Sequence, residues 1–418
     1  MKKGSMALLF SVVFMDMVGF GFIIPLLPDY VTKFGGTPGL VGLLASVYAL
    51  GQFFAAPIVG RLSDRYGRKP LLLLSIGGTF LSLLLLGLAW ALPLLFLSRI
   101  LDGLTGGNIT VAQSYIADVT EEKDRAKGLG LIGAAFGLGF ILGPLFGGLL
   151  SQISLAAPAF AAAAIAFLNL LTIAFVLPES LTNERRDEMA RNPRRAFSAK
   201  LLVEALRTPK VGIVLQTTLL YSFAFIMFQT IFSVFAQQRF GIGADTRGYL
   251  LAYVGILAAT VQGGLIGTLT NRFTESRLML AAAGLLFVGF LMWAFAPAVW
   301  FVMIALVPIA LGGGIMGTMN RSLLTKAVPR EEIGGTLGLA TSIESVNGIV
   351  APAVAGALLP LVGTWAPGVL AAALTVGLAA LVWGRIVKPG LFDVPVQIDG
   401  TVPGVTTAPT PAAATPTE

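Results

Sequence analysis

Four ionisable residues stand inside long apolar runs of this 418-residue chain: Asp16, Arg99, Asp102 and Glu344. A charge at the centre of a membrane-spanning helix costs about 2.5–3.5 kcal/mol on insertion scales, so each is a functional candidate by default. Carboxylates and a guanidinium in such a place can exchange protons or switch ion-pair partners. Histidine and cysteine are both absent, which excludes imidazole relays, thiolate chemistry, disulfides and histidine metal ligands. Any proton this protein handles must ride on a carboxylate. Without a nucleophile paired to a base, the reading is of a protein that is not an enzyme and needs no metal or cofactor.

Arg99 and Asp102 are three residues apart, so on a helix they form either a structural ion pair or a switch in which the guanidinium alternately holds and releases the acid. Arg99, Asp102, Gly103, Gly106, Thr110 and Gln113 fall within one arc of about 100° on a continuous helix, a polar, small-residue face. Asp16 has no cation in its own run; it is either a packing contact or the coupling residue, and the second reading is preferred. Glu344 shares an arc with Asn347, Gly348 and Ala351. These four ionisable groups are the candidates for proton coupling. For a ligand, the candidates are the amides Gln52, Gln113, Gln216, Gln229 and Asn347 together with Phe223, although amides also hold membrane helices together. Tyr221, Phe225, Phe228, Phe232 and Phe235 on the same run suggest an apolar pocket wall.

The elements that must position these groups are transmembrane helices. Hydrophobic residues make up 56% of the chain and charged residues 12%, against about 25% charged in soluble domains, and mean hydropathy is +0.86. Stretches of about 20 apolar residues recur near 6–27, 41–60, 70–91, 93–117, 127–149, 157–177, 211–236, 247–268, 277–296, 298–319, 334–358 and 365–387, numbered here spans 1 to 12. The expected fold is all-α and polytopic. Lys33, Arg239 and Arg247 fall on one side of the membrane and Arg99 within a span; every other one of the 28 lysines and arginines falls on the opposite side with both termini, which places the termini in the cytoplasm of a cell (inner) membrane protein. Anionic lipid accounts for the +7 charge, so membrane lipid and not nucleic acid is the expected partner. Met1-Lys2-Lys3 before an apolar run imitates a signal peptide, but Asp16 interrupts the run and no cleavage pattern follows, so span 1 is read as retained.

A weak internal repeat divides the spans six and six. With an offset of 207, Leu43-Leu44-Ala45 lies over Leu250-Leu251-Ala252, and Gly60, Asp64 and Arg65 over Gly267, Asn271 and Arg272. With an offset of 208, Gly143-Pro144 lies over Ala351-Pro352 and Gly148 over Gly356. Repeated halves belong to secondary transporters with a binding site near the midplane. The expected organisation is a six-helix half at 1–177, a cytoplasmic linker at 178–210 rich in Arg185, Arg186, Arg191, Arg194 and Arg195, a second pseudo-symmetric half at 211–387, and a Pro/Thr/Ala-rich tail at 388–418 without a core.

After span 2 the sequence reads Gly60-Arg61-Leu62-Ser63-Asp64-Arg65-Tyr66-Gly67-Arg68-Lys69. This tight, charged turn resembles the most specific motif of the major facilitator superfamily. Span 4 has Arg99-x-x-Asp102-Gly103, similar to that family's R-x-x-Q-G with Asp102 in place of the usual Gln. Span 5 has Gly139-x-x-x-Gly143-Pro144-x-x-Gly147-Gly148, which looks like the antiporter-branch motif, and span 1 has Asp16-x-x-Gly19-x-Gly21-x-x-x-Pro25-x-x-Pro28. Together they resemble drug:proton antiporters and bacterial tetracycline and multidrug efflux proteins. The resemblance implies a conformational latch of Gly60, Asp64, Arg65, Gly67 and Arg68 that joins the cytoplasmic ends of the two halves in the outward-facing state, with Asp64 capping span 11 and Arg68 meeting Asp118. Ser82 and Ala258 stand where tetracycline exporters carry aspartate and histidine, so tetracycline is not assigned. The expected function is proton-coupled export of small apolar or cationic compounds by a monomer working through alternating access; proton symport or uniport of a sugar, organic acid or other metabolite is the alternative.

Overall fold

The structure, a computed structural model, describes residues 3–120, 122–182, 199–329 and 332–392. Most of the expected linker, with its five arginines, and the tail beyond 392 lie outside the described residues. Every regular element described is helical. Span 1 is α1 (Lys3–Ile23) followed by a 3-10 turn, Ile24–Leu26, and the short α2 (Leu27–Lys33). Pro25 and Pro28 cause that interruption, because proline carries no backbone N–H and crowds the preceding turn. Span 2 is α3 (Leu40–Tyr66) and span 3 is α4 (Arg68–Gly87), separated by Gly67 alone, whose φ of 111° suits glycine.

Span 4 departs from expectation. Instead of one helix over 93–117 it is two, α5 (Leu92–Thr105) and α6 (Asn108–Val119), broken at Gly106-Gly107. Eleven other stretches are long and apolar enough to cross a membrane; the broken pair is the twelfth crossing. The first set closes with α7 (Glu122–Ser151) and α8 (Ala157–Phe175). A short α9 (Ala199–Arg207) precedes α10 (Val211–Phe240), α11 (Ala244–Thr260), a π turn at Val261–Leu265, α12 (Ile266–Thr270), α13 (Glu275–Ala294), α14 (Val299–Lys326), α15 (Ile333–Leu361) and α16 (Ala366–Val382) with a terminal π turn. One basic residue read as a loop charge is drawn inside: Arg247 lies within α11 and is fully buried, while Arg321, within α14, is exposed. Trp90, Trp300 and Trp365 are exposed at the helix ends opposite the termini, where amphipathic rings sit at the headgroup level.

Helices α1, α7, α8, α4, α3 and α5 pack among themselves, as do α10, α13, α14, α15 and α16. Two seams join the sets, α3 against α15 and α7 against α11. The internal repeat becomes spatial here. A Cβ on Gly42 would press on the Pro352 carbonyl and the Gly356 backbone; a Cβ on Gly248 would press on the Pro144 carbonyl and the Gly148 backbone. Pro144 with Gly148 and their repeat mates Pro352 with Gly356 thus each receive a glycine of the other half, possible only because no side chain intervenes.

Both approaches sit at the end away from the termini, the far side. Towards the termini the same helices part. Gly130, Gly133 and Gly137 on α7, Gly263, Gly264 and Gly267 beyond α11, and Gly334, Gly335 and Gly338 on α15 would meet no described neighbour within 4 Å of an added Cβ. The structure is closed at the far side and open towards the termini. Phe228, Phe232 and Phe235 correct the pocket-wall reading: all are fully buried, with Phe228 and Phe235 set edge-on against Trp293 at 5.0 and 5.1 Å, so they are packing core of the second set.

Candidate transport site

The break in span 4 decides the site. Two adjacent glycines lower helix propensity by about 1 kcal/mol each, and Val59 occupies the space that a Cβ on Gly107 would take. The chain leaves α5 through a short turn, Gly106 N–H to the Gly103 carbonyl at 3.0 Å and Gly107 N–H to the Thr105 carbonyl at 2.8 Å. Asn108 is thereby delivered as the first residue of α6, and its Nδ2 donates to Asp16 Oδ2 at 2.5 Å while its Oδ1 accepts from Ile109 N–H at 2.9 Å. A discontinuous helix whose end points at a charge is a recurring site device in transporters.

Around this contact lies a small, partly enclosed cavity of about 30 Å³, lined by Asp16, Met17, Phe20, Tyr48, Gln52, Thr79, Arg99, Asp102 and Asn108 among others. Arg99 Nη1 is 3.3 Å from Asp102 Oδ2; its Nη2 donates to Ser82 Oγ at 3.3 Å and Ser98 Oγ at 3.2 Å. Thr79 lies in the same lining as Asp102, and Gln52 Nε2 donates to the Tyr48 hydroxyl at 3.3 Å. Two carboxylates and one guanidinium share one pocket, so its formal charge is −1 when all are ionised, and one proton cancels it.

Sequence reasoning missed Asn108, Tyr48 and Thr79. The helical arc drawn through span 4 assumed continuity; the glycine break re-phases α6, so Thr110 turns to Gly60 on α3 and Gln113 is exposed, while Asn108 enters the cavity. The paired glycines were the available signal. Of the other ligand candidates, Gln52 lines the cavity. Gln216 donates to the Leu206 carbonyl of α9 at 3.1 Å, and Asn347 donates to the Leu219 carbonyl at 2.8 Å and Ser222 Oγ at 2.6 Å, tying α15 to α10. Phe223 is half-buried against the core of the second set and Gln229 is exposed. Glu344 lies on α15, outside this cavity, with Arg321 as its nearest charge influence and Tyr221 beside it.

At the terminus side the loop motif forms one network. Arg68 is fully buried; its Nη1 donates to Asp64 Oδ1 at 2.5 Å and Ser63 Oγ at 2.7 Å, and its Nε donates to Asp118 Oδ2 at 2.9 Å. Glu179, unremarked in the sequence, accepts the Arg68 and Lys69 backbone N–H groups at 2.9 and 3.0 Å, satisfying orphan donors of the first turn of α4. The expected cap of span 11 by Asp64 belongs to the outward-facing state; here Asp64 pairs with Arg68, and glycines at the start of α15 meet no described neighbour.

Residues 9–352 match the Major Facilitator Superfamily. The chain belongs to that superfamily. It is a multi-pass membrane transporter and not an enzyme. Superfamily members similar to it include the class C tetracycline resistance protein of Escherichia coli, 34% identical over 358 residues covering 83% of this chain and 88% of that protein, and multidrug resistance protein 2 of Bacillus subtilis (strain 168), 29% identical over 365 residues covering 86% and 90%. In fold it is similar to the human organic anion transporter MFSD10 (TM-score 0.67, 22% identity, 90% of this chain and 98% of that one) and to the nucleoside transporter NupG (TM-score 0.75, 12% identity, 91% and 99%). In superfamily terms the span 5 motif is a packing surface here. Added Cβ atoms on Gly139, Gly143 and Gly147 would run into Met17, Gly21 and Phe22 of α1, whereas one on Gly148 would meet Ala244 and Asp245 of α11. Pro144 sits beside Gly21 in the same contact. Gly60 faces Thr110, and Arg65 lies in the last turn of α3.

Proposed function

We propose that the chain is a proton-driven exporter of small apolar or cationic compounds, working as a monomer in the cell (inner) membrane with both termini cytoplasmic. The observation that carries this reading is the cavity beside a broken helix that gathers Asp16, held by Asn108, and Asp102, paired with Arg99. Loading one proton neutralises the pocket and releases a cationic or polarisable ligand; losing it restores the negative charge that holds the next one. Competition between proton and ligand for one pocket is antiport. Export is supported by the similarity to proteins named for tetracycline and multidrug resistance. Tetracycline itself is not proposed, since Ser82 replaces an acid that resemblance would place beside Arg99.

In this scheme the open terminus side is cytoplasmic, so the structure stands ready to take ligand from inside. The 1–177 and 211–387 halves rock about the two glycine seams, and the motif at Asp64 and Arg68, held by Asp118, closes the cytoplasmic end when α3 and α15 come back together. The decisive measurement is accumulation of a lipophilic cationic dye in inverted vesicles under an imposed pH gradient. The dye enters wild-type vesicles, and Asp16→Asn reduces this to the level of vesicles without the protein. Undiminished accumulation in Asp16→Asn, or gradient-driven movement in the opposite direction, overturns the coupling assignment or the export assignment respectively.

A further inference from the structure

We propose that Asp29 and Arg247 form the outer gate of this transporter, an ion pair whose breakage opens the far side. The inference rests on the rocking-halves reading above and adds to it the residues that hold one end shut. Asp29 is on α2, in the first set of helices, and Arg247 is on α11, in the second; Arg247 Nη2 donates to Asp29 Oδ2. Gln237 on α10 donates its Nε2 to the other oxygen of the same carboxylate at 2.9 Å. Two side chains of one half therefore grip one side chain of the other.

Arg247 is not explained by membrane topology. The far side has three basic residues by sequence, and Lys33 and Arg239 are exposed there, whereas Arg247 is completely buried with Asp29 of the other half. A buried guanidinium is kept only with its partner in place, which makes the closed seam dependent on Asp29. The arrangement is also poised to release. The Asp29 side chain retains 27% exposure, so water reaches the carboxylate as the seam loosens. Arg247 Nε donates to the Gly243 carbonyl of its own helix at 3.2 Å, a bond it keeps in either state, and its Nη1 has no hydrogen-bond partner. Asp29 rides on a helix set off from α1 by Pro25 and Pro28, so it can withdraw without moving Asp16.

The pair has no mate on the second seam. The repeat offset of 207 places Leu40 where the second half has Arg247, and the close approach of α3 to α15 at Gly42 is to the backbone of Pro352 and Gly356. Closure of the far side is therefore biased by one ion pair, sitting on one of two otherwise equivalent seams.

The chain has no cysteine, so two added cysteines are its sole labelling points. Ile153, 76% exposed beyond α7, and the exposed Gln238 on α10 lie on opposite halves at the far side. Spin labels on Ile153→Cys and Gln238→Cys report their separation by double electron–electron resonance, without substrate or gradient, so the result stands apart from the success or failure of the coupling assignment. The otherwise wild-type pair gives a dominant short distance. Asp29→Asn raises the ratio of long to short populations roughly tenfold, within the range of coupling between conformational states. The double variant Asp29→Asn/Arg247→Gln, which leaves no charge buried alone, gives the same shift and carries the test if the single variant fails to fold. Unchanged distance distributions in folded variants overturn the gate.

Discussion

At the scale of single residues, the acid beside the central guanidinium has a different origin from the one that resemblance implies. Tetracycline exporters carry an aspartate where this chain has Ser82, and Ser82 Oγ indeed accepts from Arg99 Nη2 at 3.3 Å. Asp102 approaches Arg99 from span 4 instead, at 3.3 Å. One guanidinium is thus reached from both positions, and what matters to it is that an opposite charge lies close by, not which helix brings it. Asp102→Asn is expected to abolish pH-driven dye accumulation and Asp102→Asn/Ser82→Asp to restore a measurable part of it. Failure of the second substitution to rescue activity, with both variants folded and present in the membrane, would show that the two positions are not equivalent. Glu344 illustrates the other outcome: buried ionisable residues flagged by the same insertion cost need not belong to one site, and this one keeps company with Arg321 on the opposite half.

Among the elements, glycine spacing does more than composition suggests. On α7, Gly139, Gly143 and Gly147 present one bare stripe to α1, and Gly21 answers it from the other side, with an added Cβ on Gly143 only 2.6 Å from Gly21 Cα. Backbone cannot step aside as a side-chain tip can. Gly143→Leu is therefore expected to lower stability by about 1–3 kcal/mol, the usual cost of overpacking, read as a reduced thermal midpoint in detergent. A midpoint equal to that of the wild type would mean that α1 and α7 are not in contact there. The paired glycines of span 4 act differently: they end a helix and start another, and the Asp16–Asn108 contact exists because of that restart. Adjacent glycines do not break a helix by themselves, since Gly77-Gly78, Gly147-Gly148 and Gly312-Gly313 lie inside the continuous α4, α7 and α14; at Gly106-Gly107 the break coincides with the close packing of Val59 on Gly107.

For the whole molecule, closure at one end and separation at the other is a statement about state. The far side is joined by the two glycine approaches and by polar contacts between halves, including Gln152 Nε2 to Asp245 Oδ2 at 3.3 Å. If transport requires these ends to part, fixing them must stop it. The pair Gln152→Cys/Asp245→Cys is expected to be bridged by a short bis-methanethiosulfonate reagent, since the side-chain tips it replaces meet at 3.3 Å, and to lose transport until reductant is added. Full transport in a completely cross-linked sample would show that the halves need not separate at this seam.

Much of this protein was determined by its sequence. Apolar runs of membrane length, the absence of histidine and cysteine and the mid-span charges follow from local composition and spacing, because each transmembrane helix must satisfy its own backbone wherever it packs; the pairing of Arg68 with Asp118 followed from the family resemblance of the loop motif. The broken span 4, the burial of Arg247, the anchoring role of Glu179 and the conversion of Phe228 and Phe235 from pocket wall to core were decided by the tertiary structure. Each of these depends on what a second helix places opposite the residue: Val59 against Gly107, Asp29 against Arg247, the first turn of α4 against Glu179, Trp293 against the aromatic rings. Periodicity along one helix reports which residues share a face, and carries no record of the neighbour that face will meet.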